Sequence, residues 1–192
     1  MYQPEAKTYN LNPNVSSEKF WFALYTKPRH EFQAGIYLDS IEIEYYLPTI
    51  TTVRKWSDRK KKVTEPLIRG YIFVYCNEKE RYDSLQHDSI LNTVCFEGKP
   101  ARIPEWQIEN LKRLLAENRE VFIRDMIPLG TKVKIVEGPF AGVIGQVCQS
   151  DVDGKLLGIT IDLLRRSVLV RLPKESVVKE IKQVDDESKR VG

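Results

Sequence analysis

After Gly130 the chain never stays apolar for long before a turn residue interrupts it. Val133 and Ile135, Val143 and Ile144, Val147, Ile159 and Ile161, and Val168, Val170 and Leu172 lie in short β-branched runs. Gly138-Pro139, Gly142, Asp153-Gly154 and Pro173 separate them. β-Branched side chains suit a pleated surface, and a Gly-Pro pair does not continue a helix. Several short strands within roughly 50 residues predict a small antiparallel barrel. We place it over 127–182, with a charged disordered tail over 183–192.

The preceding part has a different rhythm. Phe20-Trp21-Phe22-Ala23-Leu24-Tyr25 reads as a buried strand. Pro28 suits a helix start, and Phe32 and Ile36 at i and i+4 give that helix a short apolar face. Glu44 to Val53 reads as strand and 56–62 as a charged hairpin tip, with Val63 to Glu65 returning. Gly70-Tyr71-Ile72-Phe73-Val74-Tyr75 is the strongest strand signal in the chain. A short helix over Glu78–Leu85 and an apolar strand over Leu91–Phe96 follow, then a turn at Gly98-Lys99-Pro100. Pro104 opens a helix whose apolar face is Ile108, Leu111 and Leu115. The expected layout is a disordered segment over 1–19, a domain over 20–115 and a linker over 116–126 that is either unstructured or a frayed helix end. At 192 residues, one or two domains with a real core are within reach.

A net charge of +3 excludes a histone-like polycation and an acidic disordered chain. The charge is concentrated. Between Arg54 and Arg69, seven basic residues face only Asp58 and Glu65, a local +5 that leaves −2 for the rest. Three unpaired cysteines, Cys76, Cys95 and Cys148, fit a reducing cytoplasm and read as buried apolar filler. The polar start has no apolar signal region, and no run approaches the ~18 residues that span a bilayer.

Catalytic and metal motifs fail on inspection. Gly145 is followed by Gln146-Val147, not the Lys-Ser/Thr of a phosphate loop. Rossmann spacing is absent, and His30-Glu31 lacks the second histidine of a zinc helix. With only His30 and His87, a multi-histidine site is impossible. Asp151-Val152-Asp153-Gly154 lacks both the earlier ligands and the late Glu of a calcium loop, where Thr160 stands. We expect a non-enzyme with no metal and no cofactor.

Two segments carry a resemblance. The first is Trp21-Phe22-Ala23-Leu24-Tyr25-Thr26 followed by Glu65-Pro66-Leu67-Ile68-Arg69-Gly70-Tyr71-Ile72-Phe73-Val74. The second runs from Gly130 to Val147 and contains Gly138-Pro139-Phe140-Ala141-Gly142 and Gly145. Their order and separation resemble the NusG family of transcription elongation factors over about Phe20 to Lys179. The first is similar to its N-terminal domain, the second to its KOW domain. The basic run and Glu65-Pro66-Leu67 most resemble the RfaH and UpxY paralogues, antiterminators of long surface-polysaccharide operons. Ile68-Arg69 stands where the general factor usually has Phe-Pro.

The resemblance implies an α+β fold: an α/β sandwich of mostly antiparallel sheet with flanking helices, plus a small KOW β-barrel. It implies that Tyr25, Ile68, Tyr71 and Phe73 grip the β′ clamp helices of RNA polymerase. Core packing is the competing reading, since residues 71 and 73 share a strand face that is either open or covered. Lys27, Arg29 and His30 are implied to face upstream and non-template DNA. Arg54, Lys55, Arg59, Lys60, Lys61 and Lys62 suit phosphate, with a solvated charged loop as the alternative. Gly138, Pro139, Phe140, Gly142 and Gly145 form the KOW motif, where the glycines serve turns and close strand approach. Rho or a small-subunit ribosomal protein is the KOW partner the resemblance implies. Some paralogues hold this domain as a helical hairpin. The strand-favouring runs argue against that here, although 162–166 is compatible with helix. The expectation is a cytoplasmic monomer that suppresses pausing and termination. A housekeeping NusG-type factor and a ribosome-associated RNA-binding KOW protein are the rivals.

Overall fold

The computed structural model describes residues 17–55, 60–117, 121–125, 131–150, 154–161, 164–173 and 176–181. They fall into two compact units, Met1–Leu47 with Arg69–Arg102 and Pro48–Ile68 with Ile103–Gly192. Among the described residues, three helices and mostly antiparallel sheets give a mixed α/β fold.

In the first unit, β1 (Phe20–Thr26) and β5 (Tyr71–Cys76) pair antiparallel at the centre of a sheet. β2 (Glu44–Tyr46) lies outside β5, and β6 (Ile90–Thr93) outside β1. The register alternates side chains cleanly. Phe22, Leu24, Ile72, Val74 and Cys76 meet Ala34 and Leu38 of α1 (Glu31–Ser40), with Ile43 and Ile90, in one buried cluster. The opposite face carries Trp21 opposite Tyr75 and Tyr25 opposite Tyr71, ring centroids 5.4 Å apart in each pair.

The helix α1 departs from expectation in start and face. Pro28 and Arg29 form a turn, with Arg29 at φ 65°, and the helix begins only after His30. Its buried face is Glu31, Ala34, Gly35 and Leu38, whereas Phe32 and Ile36 are 45% and 69% exposed. The small residues win because the sheet lies close: a Cβ on Gly35 would sit 3.0 Å from the Tyr45 ring. The short helix α2 (Glu78–Ser84) starts from a capping box, Asn77 accepting from Glu80 N–H while Glu80 accepts from Asn77 N–H. Lys19, assigned to the disordered N-terminal segment, is tied to Glu80 at 2.8 Å. The expected strand 91–96 breaks at Val94. Its second half, β7 (Cys95–Phe96), turns at Gly98 (φ 77°) to pair with β8 (Lys99–Pro100). β9 (Arg102–Ile103) adds to β1.

Cys76 is buried as expected, but Cys95 is exposed. Desolvation pushes the Cys76 thiol from an ordinary 9.0 up to about 12.

In the second unit, β3 (Thr49–Lys55) and β4 (Lys60–Pro66) form a separate two-stranded ribbon. Leu67 N–H closes its base on Pro48 O at 2.8 Å. The helix α3 (Glu105–Ala116) follows Pro104 as expected and buries Ile108, Leu111 and Leu114. Residues 116–126, expected as a linker, contain a strand. This is β10 (Val121–Asp125), whose backbone pairs with β14 (Arg166–Arg171), Val121 opposite Val170 and Ile123 opposite Val168. β11 (Thr131–Glu137), β12 (Ile144–Ser150), β13 (Gly154–Ile161) and β15 (Val177–Glu180) complete the sheet in the order β10-β14-β13-β12-β11-β15. Among the described residues the edge strands β10 and β15 do not pair, so the sheet is open where a closed barrel was expected.

A Cβ on Gly145 would lie 2.6 Å from the Gly158 carbonyl oxygen, which is backbone and cannot rotate away. Gly145→Ala is expected to cost about 1–3 kcal/mol in a denaturant melt. At pH 8, an alkylating reagent should modify Cys95 in the native protein and spare Cys76. Because the folded Cys76 thiol holds its proton, that group's contribution to stability should be constant below about 9 and decline as pH rises toward about 12.

Candidate functional site

The end of the β1–β5 pair is built around Gly70. Its φ is 81°, a conformation that favours glycine, and the Tyr25 ring lies 3.2 Å from where a Cβ would stand. Its carbonyl accepts from Thr26 N–H at 2.9 Å, and its N–H donates to Glu31 Oε1 at 2.8 Å. Glu31 is 3% exposed, so this carboxylate is committed to the turn. Gly70 is thereby held from β1 and from the first turn of α1. Tyr71 follows immediately and packs against Tyr25 at a tilt of 53°.

The four residues expected to form one apolar patch separate by exposure. Tyr25 is 38% exposed and Tyr71 is half-buried. Ile68 and Phe73 are 2% and 0% exposed. Phe73 does share the face of Tyr71, but the ring of Tyr46 stacks on it, with centroids 6.4 Å apart and an interplanar angle of 22°. The surface available to a partner is therefore the tyrosine pair.

Lys27, Arg29 and His30 lie just past β1, in the turn before α1. Arg29 is exposed, and Lys27 and His30 are half-buried. Lys27 N–H donates to Ser89 O at 2.9 Å, and His30 Nδ1 donates to Pro28 O at 2.9 Å, which holds the turn. Lys60, Lys61 and Lys62 are exposed on β4. Arg54 and Lys55 lie on β3 opposite Lys61 and Lys60. Arg59 lies outside the described residues.

Gly138 (φ 98°) and Gly142 (φ 88°) bracket the turn between β11 and β12. Gly142 N–H donates to Ile135 O at 2.8 Å, and Val143 O accepts from Ile135 N–H at 2.9 Å. Pro139 is half-buried, and Phe140 is 1% exposed within the core of this unit. Asn110 of α3 reaches the neighbouring strand, donating to Ile144 O at 3.0 Å and accepting from Ile144 N–H at 3.2 Å.

Residues 19–112 match the family model described as transcription termination factor nusG. The matched segment, just under half of the chain, contains the tyrosine pair, the basic ribbon and most of α3. No curated protein matches the chain. Among solved structures, one titled for domain interaction in Thermotoga maritima NusG is similar at 20% identity, covering 86% of this chain and 98% of its own, with a TM-score of 0.47. The MjSpt4:Spt5 complex is similar at 14% identity in conformation A, covering 84% and 99%, TM-score 0.27. Its conformation B stands at 16%, covering 85% and 99%, TM-score 0.28.

Glu31 escaped the sequence reading, since an acidic residue in a first helical turn is ordinarily a solvated dipole partner. Asn77 with Glu80 also escaped it, although the Asn-x-x-Glu spacing was there to read. No group of three or more His, Cys, Asp or Glu residues able to hold a metal occurs among the described residues. Among them, no helix is long and apolar enough to cross a membrane.

Glu31→Ala should leave the Gly70 N–H without its acceptor and cost about 1–3 kcal/mol in a denaturant melt. Gly70→Ala should cost about 1–2 kcal/mol from backbone strain alone. Both should alter the Tyr25 and Tyr71 ring signals in NMR spectra more than those of Trp21 and Tyr75 at the far end of the register.

Proposed function

We propose that the protein is a non-enzymatic transcription elongation and antitermination factor that binds the β′ clamp helices of RNA polymerase. The observation that carries this reading is the Tyr25–Tyr71 pair, Tyr25 exposed and Tyr71 half-buried, presented by the β1–β5 pairing inside the segment that matches the family model. Paired tyrosines offer large, rigid amphipathic area at low entropic cost, the chemistry of interface hot spots. Phe73 lies on the same face beneath the Tyr46 ring, and Ile68 is likewise buried.

In this reading the sheet that carries Tyr25 and Tyr71 acts as the polymerase-binding part and the sheet of β10–β15 as the KOW module, with Val121–Asp125 a strand of that module rather than part of a linker. The KOW motif, Gly138 to Gly145, shapes a module that recruits Rho or a small-subunit ribosomal protein. Lys27, Arg29, His30 and the basic ribbon lie toward upstream and non-template DNA. A factor bound across the cleft suppresses pausing and termination by binding the forward-translocated polymerase more tightly than the paused one. The local +5 and the Ile68-Arg69 departure support a specialised RfaH/UpxY-type role on selected long operons, carried out by a cytoplasmic monomer.

Pull-down with core RNA polymerase tests this. Tyr25→Ala with Tyr71→Ala is expected to weaken retention by about 2 kcal/mol, a roughly 30-fold loss, with the fold intact by circular dichroism. Unchanged retention would sink the assignment. Phe73→Ala is an unsuitable probe, because emptying a fully buried site costs about 3–5 kcal/mol of stability.

A further inference from the structure

The β3–β4 register sorts the basic ribbon into two unlike faces. Thr51 pairs with Thr64 and Val53 with Lys62, and Lys60 is two residues along β4 from Lys62. All five of these residues are exposed. The two threonine hydroxyls lie 2.9 Å apart, which places them on one face. The alternate positions, Ile50, Thr52, Val63 and Glu65, are half-buried, and Lys61 continues that second face toward the tip. One side of the ribbon is therefore fully in water, with hydroxyls, cations and Val53, while the other is half-buried at Ile50, Thr52, Val63 and Glu65 and returns to solvent only at Lys61.

The same register sets like charges against each other. Arg54 is directly opposite Lys61, and Lys55 is directly opposite Lys60. Like charges at opposed positions destabilise a ladder, and a lone two-stranded ribbon is marginal to begin with. Uncompensated, the distal half works against its own pairing.

We propose that this arm is a one-sided phosphate reader. Lys60 and Lys62, with the hydroxyls of Thr51 and Thr64, take the phosphodiester backbone of a nucleic acid, and the bound backbone neutralises the Lys55–Lys60 pair on that face and orders the distal ribbon. The inference rests on the nucleic-acid reading of the arm given above and adds which face binds and what binding does. Lys62 faces Val53, so its charge serves the ligand without adding to the cross-strand repulsion. Lys61 faces Arg54 and adds repulsion without reaching the binding face.

The two lysines give opposite signatures in the full-length protein. Binding is measured to a single-stranded DNA oligonucleotide, its duplex and the matching RNA across about 50–200 mM salt, the range over which counterion release is strong. Amide hydrogen exchange of 50–55 and 60–66 is followed with and without the oligonucleotide. Lys62→Gln should weaken binding and reduce the salt slope by about 1 while leaving exchange in the free protein unchanged. Lys61→Gln should leave the slope intact and slow exchange in the free protein. Added oligonucleotide should slow exchange in the wild-type ribbon, and the best-bound of the three forms identifies the source of the phosphate. Equal loss of binding from both variants overturns the one-sided arrangement but keeps nucleic-acid binding. Unchanged exchange on binding overturns the ordering. Wild-type protein that shows no salt-dependent binding to any of the three overturns the nucleic-acid reading itself, and this proposal with it.

Discussion

The antiparallel register between β1 and β5 is the constraint on which the first unit depends. Six successive pairs, from Phe20 opposite Cys76 to Tyr25 opposite Tyr71, assign every side chain of both strands to a face. A slip of one residue would put Trp21, Tyr25, Tyr71 and Tyr75 into the α1 core and expel Phe22, Leu24, Ile72 and Val74. The register is pinned at its open end by Gly70, which bonds to both Thr26 and Glu31. A buried carboxylate without partners would be costly, so the Glu31 bond both satisfies the acid and fixes the turn. The tyrosine pair thus sits beside a turn whose backbone is bonded from two sides.

The second unit solves a different problem. β13 is buried on both faces: Leu156 is 6% exposed, Leu157 0% and Ile159 1%. A strand covered on both sides reads as a continuous apolar run, which is what Leu156 to Ile161 presents apart from Gly158 and Thr160. Gly145 against Gly158 lets neighbouring strands approach where no side chain fits. The helix α3 docks beside this region, with the Asn110 amide satisfying the Ile144 backbone as a neighbouring strand would. Thr160 and Ser167, whose hydroxyls lie 2.9 Å apart, satisfy each other.

Period-2 patterns were legible in the sequence because strand faces follow from alternation alone. Phe20–Tyr25, Gly70–Tyr75 and the runs after Gly130 all formed strands near their expected places, and Pro104 marked α3. The failures share a cause. The size of Phe32 and Ile36 points to one face of α1, whereas the helix buries Glu31, Ala34, Gly35 and Leu38 and approaches the Tyr45 ring too closely for a side chain at Gly35. Local periodicity does not encode that separation. The strand β10 was missed because charged neighbours outweighed Val121-Phe122-Ile123, and its pairing partner lies far along the chain. Phe73 was placed on the correct face, but its burial under Tyr46 depends on how β2 returns. The positive-φ requirements at Gly138 and Gly142 were readable, since few other residues meet them.

Charge distribution separates two kinds of contact that a total of +3 conceals. At physiological ionic strength the Debye length is about 8 Å, so the +5 of the Arg54–Arg69 segment acts on what touches the ribbon and is largely screened elsewhere. The proposed aromatic contact through Tyr25 and Tyr71 would draw on buried apolar area, which salt does not screen. The proposed phosphate contacts at Lys60 and Lys62 would draw on counterion release, which salt weakens steeply. A protein held by the first and guided by the second can stay on its protein partner while its grip on nucleic acid varies. Spreading the same cations evenly over the surface would lose that separation, because non-specific nucleic-acid binding would then compete with the aromatic contact everywhere.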